Sequence, residues 1–199
     1  MQLFNNSIPN ILPIDGTVQY HENVMQPLLT KHYYDELLKN IEWANDEVII
    51  FGKKIITRRK VAWYADDGIS YTYSGINKAG LPWNAQLMEL KKIAENISNH
   101  TINACLLNLY HDGNEGMGWH SDNEKTIVQN SAIATLSFGA TRKFAFKHKI
   151  SKLTTSILLS NGSALIMEGE TQTNWLHAIT KSTKVTSPRI SLTFRKMVT

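Results

Sequence analysis

Hydrophobic and polar positions divide the chain into two halves with different periods. "LTKHYYDELLKNIEWAN" (29–45) repeats at helical spacing. Tyr34, Leu37, Leu38 and Ile41 fall on one face, and Thr30 is placed to cap the start. "PWNAQLMELKKIAENISNH" (82–100) predicts a second helix, with Pro82 near its start and Leu87, Leu90, Ile93, Ala94 and Ile97 as its apolar stripe. "EVIIFGKKII" (47–56) predicts strand, turn and strand around Gly52, and "ISYTYSG" (69–75) alternates like a strand. Residues 1–25, broken by Pro9, Pro13 and Gly16, predict irregular chain.

Beyond residue 101 the period shortens to that of strands. Segments 102–110, 131–138, 142–148, 155–160, 163–168 and 189–196 are the candidates, with "NGS" (161–163) as a turn between two of them. Helices followed by many short strands predict a mainly β fold with flanking helices, closed or two-sheeted, such as a jelly roll. The 199 residues show no repeat or linker and fit one domain. Residues of about 1–100 would carry the helices and hairpins, and about 101–199 the β core.

Composition narrows the chemistry. The single cysteine, Cys105, excludes an internal disulfide and any site built on cysteine pairs, and its apolar run "INACLLNLY" predicts plain core packing. The start lacks a basic region followed by an apolar one, and no apolar run approaches a bilayer span. The expectation is a soluble intracellular protein with no membrane partner, cytoplasmic in a bacterium and nuclear in a eukaryote. Nothing in the sequence requires a dimer, so a monomer is expected. The net charge of +4 favours anionic partners only weakly. Its distribution says more, because "GKKIITRRK" (52–60) and "TRKFAFKHK" (141–149) concentrate it in two strand-like stripes. These suit either a phosphate backbone or solvated sheet edges.

Three polar pairs stand out against this apolar background. In "GWHSDNE", His120 and Asp122 are two apart and point the same way on extended chain. By composition about 0.6 such His-x-acid triplets are expected by chance, so the pair alone carries little. A facial triad of two histidines and one carboxylate holds iron in non-heme oxygenases. His177 in "NWLHAIT" is a candidate third ligand, or else a structural histidine. In "RISLTFR", Arg189 and Arg195 share one strand face, while Ile190, Leu192 and Phe194 take the other. Two inward guanidinium groups require anions. A dicarboxylate ligand would serve both, and so would one carboxylate ligand together with Asp122; a protein-only network is the remaining reading. In "NLY", Asn108 and Tyr110 turn a polar face from an otherwise apolar strand, suited to hydrogen-bonding a carboxylate ligand.

Taken in order, Asn-x-Tyr, His-x-Asp, His and Arg-x5-Arg resemble the AlkB-type Fe(II)/2-oxoglutarate dioxygenases. The similarity runs from about residue 10 to 197, and "YTYSG", "SFGATRKFAFKHK" and "SPRISLTFRK" resemble the branch that repairs alkylated double-stranded DNA. The resemblance implies a double-stranded β-helix and the following roles. His120, Asp122 and His177 would bind Fe(II). Arg189, helped by Tyr110, would hold the distal carboxylate of 2-oxoglutarate, with Arg195 and Asn108 near its keto-acid end. Ser191 stands where the family often has Asn, which implies altered co-substrate affinity. The implied reaction consumes O2 and 2-oxoglutarate, removes N-methyl groups from 1-methyladenine and 3-methylcytosine in DNA, and releases formaldehyde, succinate and CO2. The alternative is the same chemistry on RNA or on a protein side chain, because fold alone does not fix substrate.

A base within a duplex must be flipped out to reach a buried metal. By the same resemblance Phe51, beside Gly52 at a hairpin tip, would wedge into the gap. Tyr73 would stack on the base, and Tyr71 and Glu124 would contact its polar edge. Arg59, Arg142, Lys143, Lys147 and Lys149 would contact the phosphate backbone. Trp63, Trp119 and Trp175 are expected in the core or the pocket wall.

Overall fold

The computed structural model describes residues 8–50, 53–73 and 76–199; the side chains of 48–50, 53–54, 71–73 and 76–78 lie outside that description. Among the described residues, three antiparallel sheets account for the named strands. The largest joins β1 (Thr17–His21), β2 (Ala44–Ile50), β3 (Lys53–Ala65), β6 (Ala104–Tyr110), β8 (Ile133–Gly139), β11 (Ser163–Glu168) and β13 (Arg189–Arg195) in the order β1-β11-β8-β13-β6-β3-β2. A second sheet has the order β10-β9-β12-β7, formed by β7 (Met117–His120), β9 (Arg142–His148), β10 (Thr154–Leu159) and β12 (Trp175–Ile179). The pair β4 (Ser70–Tyr73) and β5 (Ile76–Ala79) forms a small ribbon.

Two layers of core follow from strand alternation. One face of the large sheet, with Leu107, Leu136, Ile190, Leu192 and Phe194, packs under the helices α1 (Pro27–Asn40) and α2 (Ala85–Ser98). A second core lies between the sheets, where Ile133, Leu165 and Met167 meet Phe144, Phe146 and Trp175. Each β13 residue of odd number faces away from the helices, so that strand divides its side chains between the helical core and the inter-sheet space. Fully burying one large aliphatic side chain contributes about 1.5–3 kcal/mol, so the β13 apolar face anchors the strand firmly.

The helices differ in detail from the sequence pattern. In α1 the buried residues are Thr30, Tyr33 and Leu37, while Tyr34 is partly exposed and Leu38 exposed. The helix starts earlier than expected, at Pro27, whose fixed φ suits a first turn; Gln26 is its N-cap, and Thr30 lies inside it, donating its hydroxyl to Gln26 O. Leu37 and Ile41 are buried as expected, and Tyr33 takes the place of Tyr34 on the buried face. In α2, Asn84 is the cap: its side chain accepts from the Leu87 N–H, and Asn99 ends the helix with φ 56°. Leu87, Leu90 and Ala94 are buried as expected, with Ile93 and Ile97 packed at the margin.

All six strands expected after residue 101 are present. Among the described residues four further strands, β1, β5, β7 and β12, lie in segments whose patterns are too short or too polar to stand out. β1, expected as irregular chain, is held by pairing with β11 and forms an edge of the large sheet. Trp175 and Trp63 are buried, but Trp119 is 46% exposed on the edge strand β7, so it is neither core nor pocket wall. Among the described residues, no helix is long and apolar enough to cross a membrane.

Candidate active site

The inter-sheet space opens into a cavity of about 420 Å³ whose lining includes His120, Asp122, His177, Asn108, Tyr110, Ser191 and Arg195. β7 and β12 pair so that His120 lies directly opposite His177, which brings the two imidazoles to 4.3 Å between ring centroids. Asp122 follows two residues after β7 ends, and its backbone N–H donates to Gln172 Oε1 at 2.9 Å. One ligand atom from each of the three residues lies within 4.8 Å of the others. His120 Nδ1 donates to Gly118 O at 2.8 Å, the tautomer that leaves Nε2 its lone pair for a metal.

Electrostatics keep this set ready for a cation. Burial alone would raise the Asp122 pKa, but the Arg195 guanidinium and the two imidazoles outweigh it, and the value falls to about 2. Burial, reinforced by His120, lowers His177 to about 3 despite the opposing pull of Asp122. One carboxylate and a neutral buried imidazole therefore coexist at neutral pH, as Fe(II) ligation requires.

Arg195 supplies the support. Its Nη2 donates to Asp122 Oδ2 at 2.8 Å and its Nε to the same oxygen at 3.2 Å, both groups being buried. Of the readings open for the two arginines, the geometry takes the one in which Asp122 answers Arg195. Arg189 is treated differently. It is 1% exposed and donates to Ser137 Oγ at 3.0 Å, and among the described residues no carboxylate lies within salt-bridge distance of it. Burial lowers its pKa to about 10, partly opposed by Tyr110 and reinforced by Arg142. The register sets Arg189 against Tyr110 and Ser191 against Asn108 on β6, so both polar pairs share the cavity side of the sheet. The Oδ1 of Asn108 has no hydrogen-bond partner among the described residues. A buried cation with no carboxylate in salt-bridge distance among the described residues, on the same side of the sheet as a ready metal triad, fits a small carboxylate ligand bound next to a metal.

The nucleic-acid residues fare unevenly. Glu124 lines the cavity. Phe51 lies outside the described residues; Tyr71 and Tyr73 are placed on β4, with their side chains outside the description. Lys143 is exposed and Lys147 half-buried on β9, alternating with the core residues Phe144 and Phe146. Arg59 and Arg142 require correction as phosphate contacts. Arg59 is buried in the cavity wall and pairs with Asp46, and Arg142 is 2% exposed and held by main-chain carbonyls. Both sit at strand positions whose side chains face inward, which a count of basic residues does not reveal. Lys149 is also engaged: it donates to Ser121 Oγ at 3.1 Å and Gln172 O at 2.9 Å, bracing the metal-ligand loop. The pattern along the chain did not single out Gln172, Ser137 or Asp46, whose partners are 50, 52 and 13 residues away.

The description of the 2OG-Fe(II) oxygenase superfamily matches residues 17–195. DNA oxidative demethylase ALKBH2 of Homo sapiens is 36% identical over 176 residues, 83% of this chain and 67% of that protein. The chain belongs to the AlkB family of 2OG-Fe(II) oxygenases. The alpha-ketoglutarate-dependent dioxygenase alkB homolog 3 of Homo sapiens is 35% identical over 173 residues, 81% of this chain and 59% of that protein. The solved structure of OsALKBH1 superposes with a TM-score of 0.61 at 13% identity, covering 90% of this chain and 97% of that one. At that identity the likeness speaks for the fold, and the fold is the double-stranded β-helix expected. As a 2OG-Fe(II) dioxygenase of the AlkB family, the protein uses Fe(II) and 2-oxoglutarate, and the His120, Asp122 and His177 cluster fits the metal.

Proposed function

We propose that this AlkB-family enzyme is an oxidative demethylase of alkylated DNA, acting on 1-methyladenine and 3-methylcytosine in flipped-out nucleotides. The observation that carries the reading is the cavity above the metal triad. Its lining brings Glu42, Glu47 and Glu124 together with the apolar faces of Trp63, Val61 and Leu106. Both lesions are flat cations, and a slot with acidic groups and an aromatic wall favours them over their neutral parent bases. The likeness to a relative named a DNA oxidative demethylase supports the same substrate class.

Fe(II) held by His120, Asp122 and His177, with 2-oxoglutarate and O2, supplies the oxidation of the N-methyl carbon; the products are succinate, CO2, formaldehyde and the restored base. The chain's own residues hold and orient. Arg195 fixes Asp122. Arg189 and Tyr110 receive the distal carboxylate of 2-oxoglutarate, and Asn108 and Ser191 hydrogen-bond nearer the metal. Ser191 lines the cavity, and its short hydroxyl can donate one hydrogen bond to the co-substrate, with the altered affinity that the resemblance implies. Phe51 fills the gap of the flipped base, and Lys143 and Lys147 track the phosphate backbone.

The test is a turnover assay with Fe(II), 2-oxoglutarate and ascorbate on matched oligonucleotides carrying 1-methyladenine, in DNA or RNA, single- or double-stranded, read by mass spectrometry. Faster methyl loss from DNA than from RNA is expected. Consumption of 2-oxoglutarate with no methyl loss from any DNA would overturn the reading, and a preference for RNA would move it to that polymer.

A further inference from the structure

The ring of Tyr110 is surrounded by three guanidinium groups. Arg59 lies 6.0 Å from its centroid, Arg142 5.6 Å and Arg189 5.7 Å. They converge from different directions: Arg59 from β3, Arg189 from β13 of the same sheet, and Arg142 from β9 of the opposite sheet. Arg59 has a carboxylate partner in Asp46. The other two have none among the described residues.

Arg142 is held by neutral acceptors. Its Nη1 donates to Asp112 O at 3.2 Å, and its Nη2 to Glu115 O at 2.6 Å and Thr180 O at 3.0 Å. The carboxylates of Asp112 and Glu115 act on it only at longer range; they lie instead 3.6–3.7 Å from Arg58, and Glu115 also pairs with His111. Among the described residues, the Nε of Arg142 and the Nε of Arg189 both lack a hydrogen-bond partner. Two buried cations therefore face one aromatic ring with no acid between them. Carbonyl oxygens satisfy N–H groups but do not neutralise charge, and two such cations repel each other as well as losing their hydration. Tyr110 lines the cavity, and an anion bound beside its ring would answer both neighbouring guanidinium groups together.

We propose that Arg142 is a second cation of the co-substrate site, acting with Arg189 across Tyr110 to bind the distal carboxylate of 2-oxoglutarate. The inference rests on the family's co-substrate and not on the nucleic-acid reading. Arg142 has a second consequence in the same geometry. By tying together the carbonyls of Asp112, Glu115 and Thr180, it fastens the loop between β6 and β7 to the end of β12, the strand that carries His177. Gly113 in that loop sits so close to Ser182 O that a Cβ there would overlap it, and its N–H donates to Val185 O at 2.7 Å. A purely mechanical clamp would account for these bonds, but not for a second buried guanidinium beside Arg189 with no carboxylate in salt-bridge distance among the described residues.

Charge and clamp separate by experiment. Protein loaded with Mn(II) is titrated calorimetrically with 2-oxoglutarate and with 2-oxopentanoate, which has a methyl group in place of the distal carboxylate. The quantity read is the ratio of the two dissociation constants. Arg142→Gln keeps N–H donors for the carbonyls and removes the charge; the preference for the dicarboxylate is expected to fall roughly tenfold, the scale of one charge-assisted contact. Arg142→Lys keeps the charge and loses the fork; it is expected to melt at a lower temperature yet retain most of the preference. An unchanged ratio in Arg142→Gln, whether both ligands weaken equally or neither does, overturns the proposal and leaves a clamp. If Arg142→Gln shows no cooperative unfolding transition, Arg142→Lys decides alone: preference retained supports the charge, and preference lost overturns it.

Discussion

Arg189 and Arg195 stand at opposite ends of β13, on the same face, both buried, six residues apart, yet they live in opposite electrostatic circumstances. Arg195 makes two hydrogen bonds to Asp122, so its charge is answered within the protein. Arg189 has a serine hydroxyl, an aromatic ring and another arginine. The Arg195 end is complete before any ligand arrives and serves the metal site. The Arg189 end has no carboxylate partner among the described residues, and in the proposed function that unmet charge selects a dicarboxylate. One strand thus carries a structural ion pair and a binding cation, and only the partner residues tell them apart.

Asp122→Ala breaks the completed end most severely. It removes a metal ligand and the carboxylate that accepts two buried hydrogen bonds from Arg195, and breaking a buried pair costs about 3–5 kcal/mol. Metal-free Asp122→Ala is expected to unfold in urea at a much lower midpoint than wild type, and Fe(II) titration under argon should show no binding at the triad. A metal-free variant as stable as wild type would mean that the Arg195 pair contributes little.

Arg189→Met tests the other end and should behave in reverse. With no acid to orphan, and with repulsion toward Arg142 relieved, the ligand-free variant is expected to match or exceed wild type in urea midpoint. Its affinity for 2-oxoglutarate should nevertheless fall on the order of a hundredfold, read by calorimetry on Mn(II)-loaded protein. Destabilisation of the ligand-free variant by several kcal/mol would show that Arg189 is paired inside the protein after all.

This contrast also explains what the sequence could disclose. Alternation on β13 places both arginines on one face of the strand, and "NLY" and "GWHSDNE" are equally local, so the polar pairs were readable from short spacings, while the roles expected of them came from the resemblance to a family. The jelly-roll core followed from the same short-period strands. The partners were not readable, because Ser137–Arg189 and Gln172–Asp122 are contacts between strands and loops far apart in the chain. Arg142 illustrates the limit. In "TRKFAFKHK" it looks like part of a basic surface stripe, but the period of two sends it inward with Phe144 and Phe146 and leaves Lys143 outside. His177 was named while its strand was not, since "NWLHAIT" alternates too briefly for β12 to stand out from a loop.

The smallest effect expected concerns acid. In metal-free protein Asp122 titrates at about 2, below the ordinary carboxylate value of 3.8. A depressed folded-state pKa means stability that is fully present above the ordinary value and is lost as pH falls from about 4 toward 2. The shift corresponds to roughly 2 kcal/mol. The acid limb of the stability profile therefore belongs to the Arg195 end of β13. In Arg195→Met the largest of the groups that oppose burial is gone, so Asp122 takes up its proton at higher pH and acid unfolding should begin earlier. In Arg189→Met the limb should keep the wild-type position, because Arg189 is not among the groups that shift Asp122. Circular dichroism of the three metal-free proteins between pH 2 and pH 7 reads this directly, and an acid limb displaced equally in both variants would mean that the two ends are coupled through the strand.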